Sequence, residues 1–137
     1  MNIEQMRDII HLCYSECPRS LELYHDFAGF SLEECVDNFI EKIEGFDTLE
    51  FTTVENNGEL VGYYGFIESD IPFLWTFFIR PKFRKNNKFF AEITNTLGND
   101  FMSGVYSSNI PARKFLEKNG GELKEIGNIS YYIFKGE

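Results

Sequence analysis

Long apolar runs are missing from this chain: none approaches the roughly 18 residues that a membrane-crossing helix needs, so no membrane partner of that kind is expected. Cysteine is scarce and its count is odd, with Cys13, Cys17 and Cys35 only. The N-terminus is acidic and periodic rather than basic and then apolar, which predicts no secretory leader, reduced thiols and a cytoplasmic location. Cys13 and Cys17 fall on one helical face, with His11 close in sequence. A zinc site needs a fourth ligand and a tighter Cys-x-x-Cys spacing, so the thiols read as small buried hydrophobes and no metal is expected. Basic side chains are also in short supply. The 13 Lys and Arg stand against 22 Asp and Glu, a net charge of −9 that disfavours a nucleic-acid partner for the chain as a whole. Internal repeats, linkers and low-complexity tracts are absent, and the 137 residues suit one domain spanning 1–137.

Aromatic residues are plentiful by contrast. The 15 Phe, 7 Tyr and single Trp read mostly as core. Charge is unevenly placed. Residues 1–79 hold 3 basic and 16 acidic side chains, net −13, and residues 80–137 hold 10 basic and 6 acidic, net +4. A small polyanion suits the second half; an amine or a basic partner suits the first.

Helical spacing of Ile3, Met6, Ile9, Ile10, Cys13, Tyr14 and Cys17 predicts a first helix over Ile3–Cys17, with Asn2 and Gln5 as a capping pair and Pro18 closing it. Residues 18–30 have no clean period and carry His25. Ser31 and Glu34 form a capping box for a second helix, whose buried stripe is Leu32, Cys35, Val36, Phe39, Ile40 and Ile43 and which Gly45 stops. Strand patterns follow at Leu49–Glu55 and Leu60–Ile67, joined at Asn56-Asn57-Gly58, whose residues tolerate φ > 0. Gly62 and Gly65 predict a twist, a bulge or a close approach. After a turn at residues 69–72 come a strand at Phe73–Ile79, a helix over Asn87–Leu97 and a short strand at Phe101–Tyr106. Strand, helix and strand in that order predict two adjacent parallel strands with a right-handed crossover. Asn109 caps a further helix with Pro111 in its first turn, and strands near Glu122–Glu125 and Ile129–Phe134 form a hairpin around Gly127-Asn128.

The stretch from Phe73 to Leu97 organises the rest. Its strand is apolar throughout, as expected when both faces are buried, and Pro81 ends it. Arg80, Lys82, Arg84, Lys85 and Lys88 then place five cations within nine residues. Asn86 or Asn87 offers an N-cap, and Phe89, Phe90, Ile93 and Leu97 recur at helical spacing. Cations beside the unpaired amides of a helix N-terminus outline an anion site.

Ile79-Arg80-Pro81-Lys82-Phe83-Arg84 resembles the acyl-CoA strand and loop of the GNAT N-acyltransferases, V-x-P-x-[YF]-[RQ]-x-x-G-x-[GA], although Asn87 and Phe89 stand at its two small-residue positions. Asn109-Ile110-Pro111-Ala112-Arg113-Lys114-Phe115-Leu116-Glu117-Lys118-Asn119-Gly120 resembles that family's N-x-x-A-x-x-[FL]-[YL]-x-x-x-G segment. The resemblance covers residues 48–134 in pattern, and the two opening helices agree in type and order. It implies an α+β (α/β) fold: a GNAT-like mixed central sheet whose parallel family strands 4 and 5 splay apart, helices on both faces, and a C-terminal hairpin.

It also implies an acyl-CoA-dependent N-acetyltransferase activity toward an amine acceptor. Acetyl-CoA would lie in the splay, against the backbone near Phe77, Phe78 and Ile79. Its pyrophosphate would rest on Arg84, Lys85, Asn86, Asn87 and Lys88, with Asn109 and Arg113 on the other side. Amine attack needs a base and an acid. Glu68 and Asp70 are candidates for the base. Leucine at position 116 replaces the family's usual tyrosine, so the acid falls to Tyr132, with Tyr106 and Tyr131 as alternatives; His25 sits in the loop that would cover an acceptor. The departures from the pattern leave a second expectation open: a catalytically inactive GNAT-like structural or interaction protein, similar to phage internal virion proteins, with a protein partner or a homo-oligomer in place of turnover.

Overall fold

A computed structural model describes residues 2–16, 30–85 and 88–136. The element order is α1 (Ile3–Glu16), α2 (Leu32–Glu44), β1 (Leu49–Asn56), β2 (Glu59–Ile67), β3 (Phe73–Ile79), a 3-10 turn (Pro81–Phe83), α3 (Lys88–Leu97), β4 (Phe101–Tyr106), α4 (Ile110–Lys118), β5 (Glu122–Ile126) and β6 (Ile129–Phe134).

The helix starts are set by side chains that satisfy unpaired amides. The Asn2 and Gln5 side chains accept from each other's backbone N–H at 3.1 and 2.8 Å ahead of α1. At α2 the Ser31 hydroxyl accepts from the Glu34 N–H at 3.2 Å, and the Glu34 carboxylate accepts from the Ser31 N–H at 3.1 Å, a complete capping box. Asn109 accepts from the Ala112 N–H at 3.3 Å ahead of α4. The end of α2 differs from expectation. Gly45 keeps right-handed angles (φ −73°) and its N–H still donates to Glu41 and Lys42, so the helix winds out without a left-handed cap. Asn57 and Gly58, at φ 55° and 81°, form the tight β1–β2 hairpin as predicted.

The six strands form one sheet in the order β1-β2-β3-β4-β6-β5. β3 and β4 are neighbours and parallel, as the strand–helix–strand pattern predicts, and every other pair is antiparallel. The parallel pairing covers only Phe73 with Met102 and Leu74 with Ser103. Beyond Leu74 the two strands part. Register shifts leave Val61 in β2 and Trp75 in β3 without a cross-strand partner in the β1–β2 and β2–β3 ladders respectively, two bulges that rotate the side chains following them. Gly62 follows the first bulge because nothing larger fits: a β-carbon there would lie 2.0 Å from the Phe78 carbonyl oxygen.

Each face of the sheet carries a core. On one, α1 and α2 bury Ile10, Cys13, Val36, Phe39 and Ile40 against Tyr63 and Phe78. On the other, α3 and α4 bury Phe89, Ile93 and Leu116 against Tyr64, Leu74, Phe101, Tyr132 and Phe134. The mixed sheet, its parting parallel strands, the helices on both faces and the terminal hairpin are the GNAT-like architecture that the resemblance implied. Among the described residues no helix is long and apolar enough to cross a membrane.

Candidate functional site

The parting of β3 and β4 opens a cleft of about 470 Å³. Trp75, Thr76 and Phe77 of β3 face Gly104, Val105 and Tyr106 of β4 across it. Asn109, the cap of α4, and Ala112 within it line the cleft together with Tyr131 of β6, and Phe39, Lys42 and Phe46, on and just after α2, line it as well. The walls are largely aromatic. Phe39 lies 5.5 Å from Trp75 and Phe46 lies edge-on to it at 4.9 Å, both ring-centre distances. Among the described residues that line the cleft, Lys42 alone carries a charge and none is a carboxylate or a histidine.

The closed end of the cleft is pinned. The buried Ser103 hydroxyl donates to the Leu74 carbonyl at 3.0 Å, beside the last paired residues. Gly104 follows at once, where an added β-carbon would meet the Tyr131 ring at 3.0 Å and the Phe73 ring at 3.2 Å. A side chain at this position would push one of those rings into the space the cleft occupies.

At the open end β3 offers its backbone. The Arg80 N–H donates across to Val61 of β2 at 2.8 Å, whereas the Ile79 carbonyl accepts from Arg84 Nε at 2.8 Å. An extended strand alternates its polar groups from edge to edge, so the amides of Ile79 and Phe77 point to the edge that β4 has left. Phe78 is buried on the α1–α2 face, and the Arg84 guanidinium lies over its ring at 5.4 Å.

The five cations after β3 do not act together. Arg80 holds both carboxylate oxygens of Glu16, at 2.6 and 2.7 Å, and donates to the Leu60 carbonyl at 2.8 Å. The hydrogen bond from Arg80 holds the Glu16 carboxyl below its ordinary range. Lys82 pairs with Glu59. These two cations fasten α1 and the β1–β2 hairpin to the end of β3. Arg84 and Lys85 are exposed on the loop, and Lys88 Nζ donates to Asn56 Oδ1 at 3.3 Å. Asn86 and Asn87 lie outside the described residues, as do Cys17 and His25. Phe89 points into the core and is 1 % exposed, so its side chain does not cover the loop.

On the remaining expected site residues the structure is explicit. Tyr132 does not reach the cleft. Successive residues of β6 face opposite sides of the sheet, so Tyr131 lines the cleft and Tyr132 is wholly buried beneath α4. The Tyr132 hydroxyl donates to Glu117 Oε2 at 2.5 Å and accepts from Arg113 Nε at 3.1 Å. Burial pushes the Tyr132 phenol above its ordinary value, against the hydrogen bond from Arg113 that pulls it down. Arg113 also donates to the Ser107 carbonyl at 3.4 Å, so its guanidinium is engaged inside the fold. The Asn109 side chain is engaged as the α4 cap while its residue lines the cleft. Glu68 and Asp70 are exposed on the turn between β2 and β3, at the end where β3 and β4 are paired, and neither lines the cleft. Leu116, at the position of the family's tyrosine, is buried in the core. Sequence reading did not single out Lys42 or Trp75. The signals were present: Lys42 is the one lysine or arginine between Arg19 and Arg80, and Trp75 is the one tryptophan.

No family model matches the chain, and no curated protein matches it by sequence. Solved structures do match its fold. An acetyltransferase from Thermus thermophilus superposes with a TM-score of 0.74 at 17% identity, over 97% of this chain and 92% of that one. The PaiA N-acetyltransferase of Thermoplasma acidophilum, solved with coenzyme A, gives 0.66 at 14% identity, over 99% and 96%. A Salmonella typhimurium acetyltransferase that modifies the N-terminal serine of ribosomal protein L7/L12 gives 0.69 at 11% identity, over 98% and 91%. The fold is that of the GNAT acetyltransferases. The expectation of a virion protein finds no support in these likenesses.

Proposed function

We propose that the chain acts, as a single domain, in acyl-CoA-dependent N-acyl transfer to an amine. The observation that carries this reading is the two-residue pairing of β3 and β4, which leaves a cleft beside bare strand edges and a basic loop. The fit to acyl-CoA is good on three counts. The amides of Phe77 and Ile79 offer donors to the amide oxygens of a pantetheine arm. Arg84, Lys85 and Lys88 bring positive charge to the N-terminal end of α3, where a pyrophosphate is favoured. Phe89 is turned into the core and leaves that approach open.

Bound acyl-CoA would supply a thioester open to attack by nitrogen. The chain's own residues supply the rest. Aromatic walls exclude water from the reacting groups and leave aminolysis favoured over hydrolysis. Tyr106 and Tyr131 bring phenol groups to the wall, and either can protonate a departing thiolate. Glu68 sits on the exposed turn before β3 and does not line the cleft. Among the described residues the lining holds no carboxylate.

Titration with acetyl-CoA by calorimetry, with thermal shift as a control, tests the proposal. The expected result is saturable binding in the micromolar range, about −8 kcal/mol, with a raised melting temperature. Absence of both heat and shift overturns it.

A further inference from the structure

We infer that β5 is the docking edge for a second copy of this chain, the two strands pairing antiparallel about a twofold axis with Lys124 opposite the partner's Glu125 and Leu123 opposite the partner's Ile126. β5 ends the sheet, with β6 on one side and no strand on the other among the described residues. All five of its residues are exposed, Leu123 at 41% and Ile126 at 61%. The outer side of such a strand presents N–H and C=O groups ready for another strand. The register of β5 on β6 decides how its side chains divide. Leu123 pairs with Tyr132 and Ile126 with Ser130, whereas Glu122 pairs with Ile133 and Glu125 with Tyr131. Paired residues share a face. Both aliphatic side chains therefore lie on the face of the buried Tyr132, and both carboxylates on the face of Tyr131. Strict alternation would separate Leu123 from Ile126, and the bulge at Lys124 brings them together. Lys124 sits with the carboxylates, since its Nζ donates to Glu122 Oε1 at 3.1 Å.

That division is self-complementary. In an antiparallel pair centred between Lys124 and Glu125, each Lys124 meets the partner's Glu125 on one face. Each Leu123 meets the partner's Ile126 on the other. Every contact occurs twice, as an isologous interface requires. Lysine and a bulge commonly keep an edge strand solitary. Here the lysine finds a carboxylate opposite, and the bulge is what aligns the aliphatic pair. The far edge of the sheet does not offer this. β1 carries Glu50 and Glu55 and no cation, so two copies of that edge bring like charges together. β1 against β5 is a head-to-tail contact that leaves a free edge at each end and grows into open filaments. The β5 pairing closes after two copies. It also lies one strand from the cleft, because Glu125 pairs with Tyr131, which lines it.

Sedimentation equilibrium of the full chain tests this. Wild type should pass from monomer to dimer with a dissociation constant of about 100 μM, as suits a small interface. Lys124→Glu and Glu125→Lys should each weaken the dimer about tenfold, because each reversal sets two like-charged pairs across the axis. Ile126→Asp, on the opposite face, should weaken it as much. All three positions are exposed, so unchanged melting temperatures should accompany the loss. The decisive sample mixes Lys124→Glu with Glu125→Lys in equal amounts. One edge is then acidic at both positions and the other basic, so the mixture should dimerise as tightly as wild type. A mixture that associates no better than its two components overturns the inference, since only the stated register pairs those positions. So does a wild-type dimer that survives both single reversals, which places the contact elsewhere. A wild-type chain that stays monomeric to about 1 mM, or one that forms assemblies larger than a dimer, overturns it as well.

Discussion

Phe89 stands where the resemblance expects a residue with almost no side chain, yet it sits in the first turn of α3 with its ring edge-on to Tyr64 and Phe115, both at 6.2 Å. The helical spacing of Phe89, Phe90, Ile93 and Leu97 already marked this stretch as core-facing. Which phenylalanine goes deepest depends on the phase in which α3 starts, and spacing alone does not fix that phase. Phe89→Ala should therefore cost about 3–5 kcal/mol of stability in urea unfolding, with little change in the acetyl-CoA affinity of the folded protein. A tenfold gain in affinity would mean that the ring does hinder the loop. Cys13 is the second residue whose burial has a measurable consequence. Burial, helped by the neighbouring Glu16 and opposed by Arg80, pushes its thiol from 9.0 up to about 12. The folded state thus holds this proton more tightly than the unfolded chain. Its contribution is complete below pH 9 and is lost as pH rises toward 12. Melting temperature should fall across that window, and more gently in Cys13→Ala, where Cys35, Tyr64 and Tyr132, all also raised by burial, contribute to what remains.

At the level of elements, the strands and helices were legible because each is written in local chemistry. Phe73–Ile79, Phe101–Tyr106 and Ile129–Phe134 have the limits that sequence predicts, and the caps at Ser31 and Asn109 bond as expected. The cleft was legible only through the resemblance. Its shape comes from where the β3–β4 ladder stops and from the bulge at Trp75, and neither is a property of one strand's composition. The same limit explains Tyr132. Two tyrosines in succession must face opposite sides, but which one meets the cleft is set by the register of β6 on β4. Ser103 is the element-level test. Its hydroxyl closes the fork, so Ser103→Ala should lose about 1 kcal/mol and speed amide exchange at the start of β4 ahead of the other strands. Uniform exchange across the sheet would show that the backbone pairing alone holds the fork.

Across the whole molecule, the division into an acidic first part and a basic second part is less sharp in space than in sequence. Arg80 and Lys82 reach back to Glu16 and Glu59, so two of the five clustered cations are spent on holding the acidic part against the sheet. The field presented to an anion then comes from the loop beyond them, where Arg84 bends back onto the end of β3 and Lys85 is exposed. This predicts a separation of roles within one run of basic residues. Arg84→Gln with Lys85→Gln should weaken acetyl-CoA binding about tenfold at low ionic strength, and the difference should shrink in high salt as exposed charges are screened. Arg80→Gln should instead lower the melting temperature, because it leaves Glu16 without the guanidinium that pairs with it, and should barely move the affinity. Calorimetry at two salt concentrations, paired with thermal melts, reads both quantities on the same variants. If Arg80→Gln lowers affinity as much as the double variant does, the cations act as one patch and the bond to Glu16 is secondary. If neither affects binding, the anion rests on backbone amides at the start of α3, and the charge of the loop is incidental to it.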